Sequence, residues 1–139
     1  MFDAMADWMA VPLLHYEQAG RETGRYGLSH ASIYPYRPFA CRDGAVIVAV
    51  QTNAEWLRLC AAFDLPAPPE FATNALRVAN RIALDAVLEP AFAALTATEA
   101  IARLEAAAIA WGRQTELRDL GQHSALRRVQ VTTDLGAVV

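Results

Sequence analysis

Apolar residues recur at spacings of three and four through residues 1–18, where Phe2, Met5, Met9, Leu13 and Tyr16 fall on one helical face. Pro12 removes a backbone donor and predicts a kink in this helix. Gly20 is placed to terminate it. No capping residue precedes it, as expected for the middle of a longer element. Residues 21–32 are polar and contain glycine, which predicts a loop. Residues 33–40 and 45–50 read as two strands joined by the turn Cys41-Arg42-Asp43-Gly44, with Asp-Gly as the hairpin signal. The second strand is apolar at every position, so both of its faces are expected to be covered. Pro35 and Pro38 push the first toward a sheet edge.

A capping box, Thr52 with Glu55, opens the next helix, whose apolar side is Trp56, Leu59, Cys60 and Phe63. The proline-rich stretch from Leu65 to Pro69 ends it. One helical block is predicted over 74–95, with Leu84, Val87, Leu88, Ala91, Phe92 and Leu95 on one face and a bend at Pro90. A second capping box, Thr96 with Glu99, starts a helix lined by Ile101, Leu104 and Ala108. The chain leaves that helix at Ile109-Ala110-Trp111-Gly112. A short helix over 115–121 follows, then a strand over 128–133, a turn at Asp134-Leu135-Gly136 and the start of a further strand. The expected fold class is α+β, a small antiparallel sheet packed on four or five helices.

Composition narrows the function. The 139 residues are 55% hydrophobic and 19% charged, which is a folded domain and not a disordered chain. The net charge of −3 gives no basic surface for a phosphate backbone, so nucleic acid is not an expected partner. All twelve basic residues are arginine, which excludes a lysine Schiff base and, with the abundant alanine, suggests a GC-rich bacterial genome. No apolar stretch is long enough to span a membrane and no signal peptide is visible. Cys41 and Cys60 lack a CxxC partner and the three histidines lack zinc spacing; two buried, reduced thiols in a cytoplasmic protein are expected, and no metal.

Candidate chemistry is sparse. His15, His30 and His123 have no sequence partner that would orient a general base. Gln51, Thr52 and Asn53 follow an apolar strand and open a helix, where free amides attract an anion or a polarised carbonyl; the residues alone read equally as an ordinary cap. Arg77, Arg81 and Asp85 share one helical face, and Arg81 with Asp85 is expected as a surface or interface ion pair. No GxGxxG, phosphate-cradling loop or GxSxG is present.

The order of several short stretches resembles a known family. Gly27-Leu28-Ser29-His30-Ala31-Ser32-Ile33-Tyr34-Pro35-Tyr36-Arg37-Pro38-Phe39 precedes Asp43-Gly44, an apolar strand, a polar helix start and Trp56. Phe71-Ala72-Thr73-Asn74 follows, with Arg77 and Asn80-Arg81, and then Ala108-Ile109-Ala110-Trp111-Gly112. In this order they resemble class III CoA-transferases, the CaiB/BaiF enzymes, and the resemblance covers nearly the whole chain. It implies a small-domain segment: 1–20 as a helix connecting to a large domain, and 21–139 as the small domain.

By that resemblance the full enzyme moves CoA between carboxylic acids, with coenzyme A as cosubstrate and no other cofactor. The aspartate that forms the acyl anhydride is expected ahead of this segment, so no catalytic residue is assigned here; Asp3 and Asp7 belong to the connecting helix. Gln51, Thr52, Asn53, His30 and Tyr36 are the expected substrate-binding residues. Acyl-CoA is the expected partner, with a large domain or a second subunit as in an interlocked homodimer. Asn53 cannot act as acid or base, which argues against racemase chemistry, and the 41–44 turn is not the glycine-rich flap of formyl-CoA transferase. Dicarboxylyl transfer, of succinyl or mesaconyl groups, stays open. A non-catalytic acyl-CoA-binding or dimerisation module, or a truncated remnant, is the alternative.

Overall fold

A computed structural model describes residues 1–138. The apolar run forms β2 (Gly44–Ala49), the central strand of a three-stranded antiparallel sheet in the order β1-β2-β3. β1 (Tyr36–Cys41) is an edge strand, as its prolines require, and pairs Tyr36 with Ala49 through Cys41 with Gly44. The other edge is β3 (Ala110–Arg113), a strand that the periodicity did not indicate; it pairs Val48 with Trp111. Burial along β2 alternates in part: Val46, Val48 and Val50 are fully buried while Ile47 is only half-buried. Full cover on both faces is therefore not found; one face carries the core.

Four helices close that face. They are α3 (Asn53–Ala62), α4 (Asn74–Ala79), α5 (Arg81–Ala93) and α6 (Ala97–Ala106). The expected block over 74–95 is two helices: the backbone leaves helical geometry at Asn80 (φ −108°, ψ 29°), whose main-chain and side-chain amides both donate to the Leu76 carbonyl. α5 then continues through Pro90 to Ala93. Phe92 lies between Phe39 and Phe63, with ring centroids 4.6 and 4.5 Å away. Leu84, Leu88 and Leu104 complete the enclosed centre. Each such fully buried side chain stabilises the fold by roughly 1.5–3 kcal/mol.

Both expected capping boxes form: Thr52 with Glu55 and Thr96 with Glu99 bond reciprocally. The β1–β2 turn is tied down at the start of α6, where Asp43 Oδ1 accepts the Ala97 amide at 2.6 Å and Arg42 pairs with Glu99. These contacts fix the near end of the hairpin and leave its far end, around Tyr36 and Ala49, to face the loops.

The first expected helix is also two, α1 (Phe2–Trp8) and α2 (Ala10–Ala19), with a 3₁₀-like break at Met9. Pro12 is the cause, but the break falls earlier than the proline itself: its ring excludes the carbonyl four residues before, that of Trp8. Gly20 terminates α2 in the left-handed conformation, with φ of 60°. Neither helix buries a residue. At the other end, α7 (Leu117–Leu120) leads to a separate hairpin of β4 (Val131–Thr133) and β5 (Gly136–Val138). The strand expected over 128–133 is thus shorter and pairs only locally; Val139, the end of the expected further strand, lies outside the described residues. Cys60 is buried but Cys41 is only half-buried, and both are free thiols.

Candidate functional site

The far end of the β1–β2 ladder gathers the sequence-predicted residues. Val50 donates its amide to Pro35 O at 2.9 Å, and His30 N donates to Tyr36 O at 2.9 Å. Tyr36 and His30 therefore flank the strand end from which Gln51 emerges. Their rings stack, 5.3 Å apart and inclined by 16°. His30 Nδ1 accepts the amides of Ser32 and Ile33, both at 3.1 Å. With that nitrogen occupied as an acceptor, the neutral ring carries its proton on Nε2 and offers a donor. His15 lies exposed on α2 and lines a small cavity of about 140 Å³ with Tyr26, Ala31 and Ser32, beside the His30 turn; His123 Nδ1 accepts the Ala125 amide.

Gln51, Thr52 and Asn53 are exposed. Their amides are not equally available. Glu55 Oε2 accepts from Gln51 N at 2.7 Å and Thr52 N at 2.8 Å, and Thr52 Oγ1 accepts from Glu55 N. The amides of Asn53 and Ala54, in the first turn, lack an intrahelical acceptor. Partial burial works to raise the Glu55 carboxyl, but the amide hydrogen bonds from Thr52 and Gln51 outweigh it and hold the group below its ordinary value. A fixed negative charge thus stands at the helix start.

Beneath this loop lies a residue that periodicity misplaced. Arg77 is not on the surface; its exposure is 0%. Its guanidinium donates to Tyr34 O (2.8 Å), Phe71 O (2.9 Å), Ala72 O (3.3 Å) and Asn53 Oδ1 (3.2 Å), and lies 5.5 Å from the Trp56 ring centroid. Burial lowers its pKa from the ordinary arginine value. Trp56 Nε1, in the same buried corner of α3, has no hydrogen-bond acceptor among the described residues. Asn74 completes the frame: its Oδ1 accepts Tyr34 N and its Nδ2 donates to Ser32 O. Loop 30–36, the start of α3 and α4 are thereby held as one unit.

The expected Arg81–Asp85 pair is not formed. Arg81 Nη2 donates instead to the carbonyls of His30 and Ala31, at 2.9 and 2.7 Å, and lies over the Tyr26 and Tyr34 rings. Asp85 pairs with Arg37 at 2.6 Å and accepts the Tyr34 hydroxyl; Arg37 also reaches Glu89. Burial, then the neighbouring Glu89 carboxylate, push Asp85 up to about 6. The reason for the exchange is register: β1 lies along α5, so Arg37 meets Asp85 across the interface while Arg81 is drawn to the carbonyls of the preceding loop.

A mouse succinyl-CoA:glutarate CoA-transferase is 30% identical over 103 residues, 72% of this chain and 24% of its own length. A succinyl-CoA:mesaconate CoA-transferase of Haloarcula marismortui is 32% identical over 87 residues, 62% of this chain and 22% of its own. The chain therefore spans about a quarter of the length of these curated relatives. A crystal structure of a CaiB/BaiF family protein from Brucella suis superposes with a TM-score of 0.74 at 28% identity, covering 88% of this chain and 33% of that one. The profile of CoA-transferase family III matches residues 1–137, and this chain belongs to that family.

Proposed function

We propose that this chain supplies the acyl-pocket side of an enzyme that moves CoA between dicarboxylic acids, with Gln51, Thr52 and Asn53 beside the distal carboxylate of the acyl group and His30 and Tyr36 at its flank. The observation that carries this reading is the polar helix start at the end of a buried strand, where the first-turn amides and the Asn53 side chain offer donors. Two relatives named for succinyl-CoA exchange with glutarate or mesaconate support the dicarboxylic class. Residues 1–20 serve as the connection to a large domain in this reading, and residues 21–139 as the small domain. The anhydride-forming aspartate is contributed from outside these residues. A second reading, a binding or dimerisation module without turnover, is favoured by the exposed apolar surface of α1 and α2.

Binding of succinyl-CoA and butyryl-CoA, measured by calorimetry, separates the cases. Succinyl-CoA should bind more tightly, and Asn53→Ala should remove roughly ten- to hundredfold of that preference, the equivalent of about 1.5–3 kcal/mol for a lost hydrogen bond to a charged group. Equal affinity for the two thioesters in the wild-type chain would exclude a carboxylate subsite at this loop.

A further inference from the structure

Arg77 is enclosed without an anion. Its four acceptors are neutral: three backbone carbonyls and the amide oxygen of Asn53. Among the described residues the ion pairs join Arg37 to Asp85 and Glu89, Arg42 to Glu99 and Arg118 to Glu116, and none reaches Arg77. A buried charge without a counter-charge is costly, and its field extends toward whatever lies nearest. Three of its acceptors are backbone carbonyls; the fourth, Asn53, is the side-chain acceptor and belongs to an exposed residue.

The contact also fixes the asparagine. A guanidinium has only donors, so Asn53 must turn Oδ1 toward it and its amide is not free to flip. The two Nδ2 hydrogens then lie on the side away from Arg77. We propose that Arg77 is a positioning residue, holding the Asn53 oxygen inward so that Nδ2 presents its donors to a carboxylate of the acyl group, which supplies the charge that Arg77 lacks. This rests on the assignment of loop 51–53 to the acyl pocket. Glu55 acts in the opposite sense, since its carboxylate is committed to the amides of Gln51 and Thr52. The Arg77 charge is what tips the balance toward an anionic ligand at Asn53. A monocarboxylic acyl group brings no distal acceptor and gains nothing from it.

Replacing Arg77 risks the fold, so the test substitutes its partner in the full 139-residue chain. Asn53→Asp puts a carboxylate on the guanidinium and removes both donors. Its Tm at pH 7 should exceed that of the wild type by about 3 °C or more, whereas Asn53→Ala should fall below it. Calorimetry on the same proteins should show Asn53→Asp weakening succinyl-CoA by at least roughly tenfold, with butyryl-CoA changed by less than about twofold. An Asn53→Asp Tm at or below wild type overturns the proposal, because the charge is then not in need of a partner. A stabilised Asn53→Asp that still binds succinyl-CoA like wild type overturns it as well, because the donors are not used. If the wild-type chain binds succinyl-CoA and butyryl-CoA equally, the pocket assignment of loop 51–53 falls with the ligand half of the proposal, while the Tm comparison still decides the hold of Arg77 on Asn53.

Discussion

Arg58 on α3 and Arg103 on α6 each close the C-terminal end of the other's helix. Arg58 donates to Ala107 O at 2.8 Å and Ala108 O at 3.1 Å, and Arg103 donates to Ala62 O at 3.4 Å. Both helices end in the same way: Asp64 and Ala108 adopt φ of 54° and 51°, and Leu65 N and Ile109 N bond back to Cys60 O and Leu104 O. Neither left-handed residue is glycine, so each end carries some backbone strain. A cation on the terminal carbonyls offsets that strain and complements the helix dipole.

The two arginines should therefore differ in weight. Arg58 makes two well-formed bonds and Arg103 a single long one, beside its packing over Phe63. Arg58→Ala is expected to cost about 1 kcal/mol and Arg103→Ala about half of that. Ala108→Gly should stabilise, by relieving the left-handed conformation. Urea midpoints for the three variants check this; an Arg103→Ala loss larger than that of Arg58→Ala would place the effect in packing on Phe63.

Acid should loosen the helix starts. Glu55 and Glu99 are both held below the ordinary glutamate value: Glu99 first by the Thr96 amide, Glu55 by the amides of Thr52 and Gln51 against its partial burial. A carboxyl whose folded-state pKa is depressed contributes stability that is present above its unfolded value, near 4.5, and lost as pH falls through the lower folded value. Through these two carboxyls the urea midpoint should drop from pH 5 toward pH 3, against an opposing gain from Asp85, whose raised value of about 6 favours the fold as pH falls. Glu55→Gln with Glu99→Gln keeps an acceptor at both caps but does not titrate, so its midpoint should fall less over the same range. An unchanged acid slope in the double variant would assign acid sensitivity to other carboxyls.

Much of this was legible in the residues. The two capping boxes, the edge position of β1 and the end of α2 at Gly20 follow from local chemistry and stand as read. What periodicity missed depends on partners distant in the chain. β3 is a four-residue strand with no alternation, and it exists because β2, over sixty positions earlier, offers it an open edge. Arg77 read only as a member of a charged helical face, because its acceptors come from three distant segments, at Tyr34, Asn53 and Phe71-Ala72. Its burial was not written in the spacing that predicted one helical face for Arg77 and Arg81, which lie on separate helices. The Asn53 side of the candidate site was visible as a helix start, but not the guanidinium that orients it.

The apolar surface of α1 and α2 should drive self-association. Phe2 is 83% exposed and Trp8 85%, and Met5, Met9, Leu13 and Tyr16 are exposed beside them. A groove of about 640 Å³ runs between these helices and Glu22-Thr23, lined by Phe2, Met5, Met9, Pro12, Leu13 and Tyr16. Exposed apolar patches of this extent find a partner. Sedimentation velocity at high micromolar concentration should show dimers or larger species, shifted toward monomer by the double substitution Phe2→Ser and Trp8→Ser. A clean monomer in the wild-type chain would count against the expectation.

The purified chain should bind acyl-CoA without turning it over. Anhydride formation needs a carboxylate that is held at the thioester, ionised, and free to attack. Glu55 is the carboxylate tied to loop 51–53, and it meets only one of those conditions. It is ionised at neutral pH, but its Oε2 is occupied by two backbone amides, and breaking them would uncap α3. The same hydrogen bonds that lower its pKa also reduce its nucleophilicity. Asp3 and Asp7 are exposed on α1, a helix that buries nothing. Asp85 is engaged by Arg37 and Tyr34 at the β1–α5 contact. CoA exchange from succinyl-CoA to glutarate, followed by chromatography of the thioesters, should therefore stay at background. Hydroxylamine trapping should detect no acyl-protein adduct. Turnover abolished by Glu55→Gln would make Glu55 the nucleophile despite its cap. Turnover abolished by replacing Asp3 or Asp7 would move the reacting group to α1, and the 51–53 loop would no longer be the centre of the pocket.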